Sequence, residues 1–196
     1  LQLAAGEGAS MYDPGHPSTG PELREALGRL LAEGHAFLAT LTTDEFFRTQ
    51  GEHWSPADHV RHLRKSSTPV AAALRLPRLL LRVRFGTHDG PSRSYDAIKS
   101  DYLARVAAGG QAGRFAPAPE PAAADPYTRR NEILTRWSAA TVSLTNAARA
   151  WDEAALDRGQ LPHPLLGPLT IREMLAFTVY HTEHHLRRVA ERATPR

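Results

Sequence analysis

The stretch TIREMLAFTVYHTEHHLRRVAER, residues 170–192, decides the fold that this chain can adopt. It contains neither Gly nor Pro, and it begins with Thr170 and Glu173, whose spacing is that of a capping box. Apolar residues recur along it at helical spacing, which predicts one long amphipathic helix with a stripe that faces a core. The stripe carries two histidines, His181 and His185, one turn apart.

Two imidazoles at positions i and i+4 of a helix point the same way. Neutral imidazoles on an apolar face can arise in two ways. They can share a transition-metal ion, which binds imidazole nitrogen. Alternatively, each can be hydrogen-bonded within the core, or the face can be half exposed. The HxxxH pair alone does not decide between these, so a further histidine from a second helix is needed.

The composition is that of an ordinary globular protein of 196 residues, with 41% hydrophobic and 23% charged residues. The absence of cysteine excludes disulfides, thiolate nucleophiles and Cys-ligated metals. The net charge of +3 comes from arginines scattered along helices, which gives little support to nucleic-acid binding. No apolar run is long enough to span a membrane. We therefore expect a cytoplasmic protein without a nucleic-acid or membrane partner.

Four long helical segments are predicted, and no stretch alternates strictly enough to predict a strand. They cover about residues 21–41, a segment that starts at Pro56, residues 125–151 and residues 170–192. This predicts an all-α four-helix bundle with a short extra helix or insertion between the second and third long helices. Residues 1–20 are predicted to be a disordered leader or a non-native extension, and residues 21–196 a single domain.

The insertion contains an Arg/Leu-rich segment, LRLPRLLLRVRF, at residues 74–85. Such a segment could lie on a membrane surface as a basic amphipathic helix. We favour a packed helix or a subunit interface, in which the arginine stems lie along apolar surface. On this interpretation the protein is expected to be a homodimer.

The second long helix supplies the additional histidine. Ser55 and Pro56 predict its start, and His62 lies two turns beyond the cap. His62 and the HxxxH pair together make three imidazoles on facing helices, which would leave coordination positions open for water or substrate. His59, one turn before His62, competes for the same role.

These histidines carry a resemblance to a known family. WSPADHVRHL at residues 54–63 and YHTEHHLRRV at residues 180–189 are similar to the DinB-like superfamily of metal-binding four-helix bundles. That superfamily includes bacterial thiol-dependent S-transferases and mycothiol-dependent maleylpyruvate isomerases. The resemblance favours His62 over His59, and it implies that the metal ligands are His62, His181 and His185.

The ligand set suits a divalent transition metal, with zinc or nickel first and iron as a further candidate. The catalytic residues are unknown, because none of the nearby carboxylates is predicted to act as a base. Asp58 and Glu173 fit helix caps, and Glu183 is predicted to be solvated on the opposite face. His184 is predicted to support the ligands or to lie at the surface. The remaining histidines are predicted to be satisfied or exposed, namely His16, His35, His53, His88 and His163.

Three functions are compatible with these features. The first is a metal-binding protein that acts on a small molecule, as a thiol-dependent S-transferase or a metal-dependent hydrolase, with a low-molecular-weight thiol as a candidate partner. The second is a non-enzymatic dimeric bundle with a vestigial or structural histidine cluster. The third, a binder of nucleic acid or anionic membranes, has the least support.

Overall fold

A computed structural model describes residues 12–49, 51 and 53–193. In this part of the chain, eight α-helices and a 3₁₀ turn at Gly113–Phe115 accompany a two-stranded sheet. The elements are α1 (Gly20–Thr40), α2 (Thr43–Phe47), α3 (Pro56–Ala73), α4 (Arg78–Phe85), α5 (Tyr95–Ala107), α6 (Pro126–Ala148), α7 (Glu153–Arg158), β1 (Gln160–His163), β2 (Gly167–Thr170) and α8 (Ile171–Ala193).

The four long helices α1, α3, α6 and α8 form the bundle. Helices α1 and α3 each pack against both α6 and α8, so they lie on opposite corners. Their apolar stripes bury one continuous core, which includes Leu27, Leu63, Trp137 and Leu175. The predicted all-α four-helix bundle is therefore confirmed, and only the small hairpin departs from it.

The two helices that carry the histidine motifs begin where the sequence predicts. At α3, the Ser55 hydroxyl accepts the Asp58 amide while the Asp58 carboxylate accepts the Ser55 amide, which completes a capping box. At α8, Thr170 and Glu173 make the same reciprocal pair of bonds. Helix α3 continues through the exposed Pro69 and ends at Ala73, before Pro77.

The connector before α8 contains structure that was not predicted. Helix α7 is followed by the antiparallel hairpin of β1 and β2, in which Leu161 pairs with Leu169 and His163 with Gly167. Pro162 and Pro168 pair with each other at exposed positions of the two strands. Because proline is uncommon within strands, the sequence did not indicate a strand here. Alternation along β1 turns Leu161 and His163 to the same buried side.

The predicted insertion between the second and third long helices holds α4 and α5. Helix α5 packs against α8 and buries Tyr95 and Ile98. Helix α4 contributes a single buried residue, Leu81, to the core. The Arg/Leu-rich segment is thus partly packed and partly exposed.

Packed structure begins before the predicted domain boundary at residue 21. Tyr12 is buried, and the Pro14 carbonyl accepts a hydrogen bond from Arg29. Residues 1–11 of the predicted leader lie outside the described residues. The division into leader and single domain stays a prediction. None of the described helices is long and apolar enough to cross a membrane.

Candidate metal centre

The bundle brings His62, His181 and His185 together in its core. All three are buried, and one nitrogen from each lies within 4.8 Å of the others. His181 Nε2 lies 2.9 Å from His62 Nε2 and 3.1 Å from His185 Nε2. In a tetrahedral site with Zn–N bonds of 2.0–2.1 Å, nitrogens are about 3.3 Å apart, so small shifts would admit an ion.

The backbone fixes which nitrogen of His62 faces this centre. His62 Nδ1 lies 2.9 Å from the carbonyl oxygen of Phe115, in the 3₁₀ turn. Because a carbonyl only accepts, Nδ1 must carry the proton and donate it. The lone pair is therefore on Nε2, which points at His181. A ring held through its far nitrogen in this way is typical of a metal-binding histidine.

His185 has a corresponding neighbour in His59. Their Nδ1 atoms are 2.7 Å apart, and both rings are buried. If His185 donates from Nδ1, its Nε2 carries a lone pair toward His181, and His59 must be protonated on Nε2. His59 Nε2 is buried without a hydrogen-bond partner in the described chain. His59 thus lies behind the cluster, and neither of its nitrogens is one of the three that converge there.

Burial keeps these imidazoles neutral. It lowers the pKa of His181 and His185 well below the ordinary value, and the neighbouring histidines lower each pKa further. Burial also lowers the pKa of His62, and it lowers that of His59 to about 3. Neutral imidazole is the form that binds metal. His181 Nε2 faces Nε2 of both His62 and His185. Without an ion, a proton on His181 Nε2 would have to be shared between these two acceptors. A metal ion could bind all three nitrogens, so these ligand atoms fit a metal well.

The centre opens into a mostly apolar cavity of about 220 Å³. His62 and His181 lie in its wall, where a bound molecule would meet the centre. Aliphatic and aromatic side chains dominate the rest of the lining, including Val70, Phe85, Phe115, Leu161, Met174 and Phe177. A concave apolar pocket with a few convergent polar groups is the usual form of a small-molecule site.

The three carboxylates nearest in sequence are not in this cavity. Asp58 and Glu173 cap helices as predicted, and Arg93 also binds Glu173. The prediction for Glu183 is wrong. Its carboxylate is buried, accepts the Tyr95 hydroxyl at 2.7 Å and pairs with Arg187 at 2.9 Å. Helix α5, which packs on this face of α8, removes it from solvent.

Two further histidines lie near the centre: His59, which competed with His62 as a predicted ligand, and His163, which was not predicted as functional. His59 contacts His185, and His163 lines the cavity from β1. The position of His59 in line with Leu63 was a usable signal, whereas His163 sits between prolines in a segment without helical period. His184 is half-buried beside Tyr102 and Tyr180.

An indole ring packs against the cluster. Trp54, just before α3, stacks nearly parallel to His185, with ring centroids 6.0 Å apart and an angle of 14°. Its ring centroid is also 5.0 Å from that of His62. This tryptophan belongs to the start of the motif at residues 54–63, so its contacts give that spacing a physical reason.

The chain belongs to the DinB superfamily, whose family model matches residues 26–189. Two solved structures have a similar fold. One is TT2238, a four-helix bundle protein, with 18% identity, a TM-score of 0.55 and coverage of 90% of this chain and 100% of the other. The second is YfiT from Bacillus subtilis, described as a probable metal-dependent hydrolase with an unusual four-helix bundle topology. It has 15% identity, a TM-score of 0.59 and coverage of 88% and 84%. No curated protein matches the chain.

Proposed function

We propose that this protein binds one divalent transition-metal ion through His62, His181 and His185 and uses it to act on a small molecule in the adjoining cavity. The observation that carries the proposal is the convergence of three neutral imidazole nitrogens at the wall of an apolar pocket. Zinc or nickel suits this all-nitrogen set best, and iron is a further candidate. A site with three protein ligands keeps a position open for a reactant.

The reaction that we propose is a hydrolysis or a thiol-dependent S-transfer. A bound ion would supply Lewis acidity and lower the pKa of a water molecule or a thiol. The chain has no cysteine, and within its described part no carboxylate lines the cavity. The hydroxyls of Ser66 and Thr178 also line the cavity, but each donates to a carbonyl of its own helix. In this proposal the nucleophile therefore enters from solution, as water or as a low-molecular-weight thiol. The description of YfiT as a probable metal-dependent hydrolase is consistent with the first choice.

The residues around the centre have separable tasks in this proposal. The Phe115 carbonyl holds His62 in the tautomer with its lone pair on Nε2. With His185 donating from Nδ1 to His59, the lone pair of His185 is likewise on Nε2. The apolar lining excludes bulk water from the reacting groups, which strengthens electrostatic interactions there.

The decisive experiment is elemental analysis of the purified protein and of His181→Ala. We expect about one zinc, nickel or iron per wild-type chain, and a loss of most of it in the variant, because two imidazoles bind far more weakly than three. His184→Ala is the matched control, since His184 is on the same turn but outside the cluster. Circular dichroism would show that each variant keeps its helices.

Two results would contradict the proposal. One is a wild-type protein that takes up no metal after dialysis against zinc or nickel. The other is equal metal content in wild type and His181→Ala. Either would favour the non-enzymatic alternative, a bundle in which the histidines share protons. Metal-loaded protein should then be tested with ester substrates alone and with thiol and electrophile pairs, which separates hydrolysis from S-transfer.

A further inference from the structure

His163 lines the same cavity as His62 and His181 of the metal centre. It lies at the end of β1, is only 9% exposed, and packs its ring edge-on against Phe177 with centroids 4.2 Å apart. Phe177 in turn stacks on His181, with centroids 5.0 Å apart. An imidazole of the hairpin, outside the four bundle helices, therefore lines the cavity.

The hairpin loop fixes the tautomer of His163. Its Nδ1 accepts the backbone amides of Leu165 and Leu166, at 3.2 and 3.1 Å. An atom that accepts two amides has no proton of its own, so the proton of the neutral ring is on Nε2. Burial lowers the pKa of His163 to about 4, which keeps the ring neutral near pH 7. The Nε2–H group has no hydrogen-bond partner in the described chain.

This tautomer excludes His163 as a fourth metal ligand in the observed arrangement. Its lone pair is already occupied by two amides, and its other nitrogen carries a proton. The ring is instead a fixed hydrogen-bond donor. A donor of this kind in the wall of a mostly apolar cavity is satisfied by water or by an acceptor on a bound molecule.

The remaining lining limits which acceptor fits. Within the described chain, Arg114 is the one lining residue with a permanent charge, and no carboxylate accompanies it. Arg114 lies over the Phe115 ring at 5.0 Å and is exposed. The cavity therefore favours neutral or anionic molecules over cations. Its volume of about 220 Å³ and its apolar walls suit a body of roughly one substituted ring or a short alkyl chain.

We propose that His163 is a substrate-binding residue, whose Nε2–H donates to an oxygen of a small, mostly apolar, neutral or anionic substrate in the cavity beside the metal centre. This inference rests on the proposed function, because it assumes that the cavity is the substrate site. It assigns the hairpin a role in substrate recognition that is separate from metal binding.

Benzoate and toluene test this inference as probes, because they share a ring and only benzoate has oxygen acceptors. Their affinities would be measured by NMR titration of wild type and His163→Asn, with and without zinc. In the Asn variant, the side-chain oxygen can still accept the loop amides, but the donor at the Nε2 position is lost. We expect the benzoate affinity to fall tenfold or more, as for a hydrogen bond to a charged group, and the toluene affinity to stay within about twofold.

The results separate this inference from the proposed function. Equal benzoate affinity in wild type and His163→Asn, with zinc bound to both, overturns the role of His163 and leaves the metal proposal standing. If neither protein binds zinc, the metal proposal fails, and the zinc-free titrations alone decide the role of His163. A parallel loss of benzoate and toluene affinity would reveal a structural role and also overturn the inference. So would a wild-type protein that binds no benzoate at millimolar concentration.

Discussion

His59 and His185 are in hydrogen-bond contact through their Nδ1 atoms, 2.7 Å apart, in the buried centre of the bundle. A histidine can use Nε2 for a metal only if Nδ1 keeps its proton. When His185 donates from Nδ1, His59 accepts this hydrogen bond and so favours the tautomer of His185 that has its lone pair on Nε2. Partners of this kind orient a ligand and raise its basicity without touching the ion.

We predict that His59→Leu lowers zinc affinity by about 10–100-fold without abolishing binding. The leucine fills much of the volume but accepts no hydrogen bond from His185. His59→Asn is the matched variant, since its side-chain oxygen can restore an acceptor and should recover part of the affinity. Competition with a fluorescent chelator measures both. Equal affinity in wild type and His59→Leu would show that His59 is only a packing residue.

The sequence predicts the positions of some of these side chains better than those of others. Helical period and the caps predict that histidines of the second and last long helices face each other, and the family resemblance selects His62 over His59 to join His181 and His185. His163 offers no such period. It reaches the cavity only because the chain turns into a hairpin there, and the tautomer of its ring depends on two loop amides.

Helices α5 and α8 are joined by a buried polar contact. The Tyr95 hydroxyl donates to Glu183 at 2.7 Å, and Arg187 lies 2.9 Å from the same carboxylate. Burial, together with the bond to Glu183, raises the pKa of Tyr95 far above its ordinary value. The hydroxyl is therefore a permanent donor, and it binds α5 to the helix that carries two of the three candidate ligands.

We predict that Tyr95→Phe lowers the free energy of unfolding by about 1–3 kcal/mol, because a buried carboxylate oxygen loses its donor. Urea denaturation would measure this change. Tyr127→Phe is the control, since Tyr127 is largely exposed and should leave stability within about 0.5 kcal/mol of wild type. Equal stability of the two variants would mean that water or Arg187 replaces the Tyr95 hydroxyl.

The sequence predicts some of the helices and strands better than others. Long amphipathic stretches with capping signals predict α1, α3, α6 and α8 to within a few residues. Helix α7 was not predicted because it is short. The hairpin was not predicted because its strands are short and contain prolines, which are uncommon in strands. The burial of Glu183 could not be predicted either, because it depends on where α5 packs and not on the pattern of α8 itself.

Within the described part of the chain, α4 and the residues before it expose a group of apolar side chains. Leu79 is 71% exposed and Val83 is 78% exposed, while Leu81 on the other side of α4 is buried. Leu76 and Leu80 extend the same exposed surface. Apolar side chains concentrated in this way mark an interaction site more often than scattered ones do. The homodimer expected from the sequence would bury this surface.

We predict a dimer in which α4 contacts α4 of a second copy across a two-fold axis. Arg82 and Arg84 on the same helix would then face like charges, so salt should strengthen the dimer by screening them. Sedimentation velocity at about 0.05 M and 0.5 M salt would measure the dissociation constant. Replacement of Leu79 and Val83, one turn apart, by Lys should give a monomer with an unchanged helix content.

Tyr127→Lys is the control for this double variant, because Tyr127 is exposed at the start of α6, whereas Arg75 and Arg78 contact Ser143 and Ala150 at the other end. It should leave the dimer intact. A wild-type protein that is monomeric at both salt concentrations would contradict the prediction. Binding of α4 to an anionic partner would show the opposite salt dependence to that of the dimer. Its affinity would fall as salt rises, because salt weakens the attraction between the arginines and a negative surface. Binding to vesicles of phosphatidylserine that falls with salt would therefore assign α4 to a membrane surface and not to a second copy of the chain.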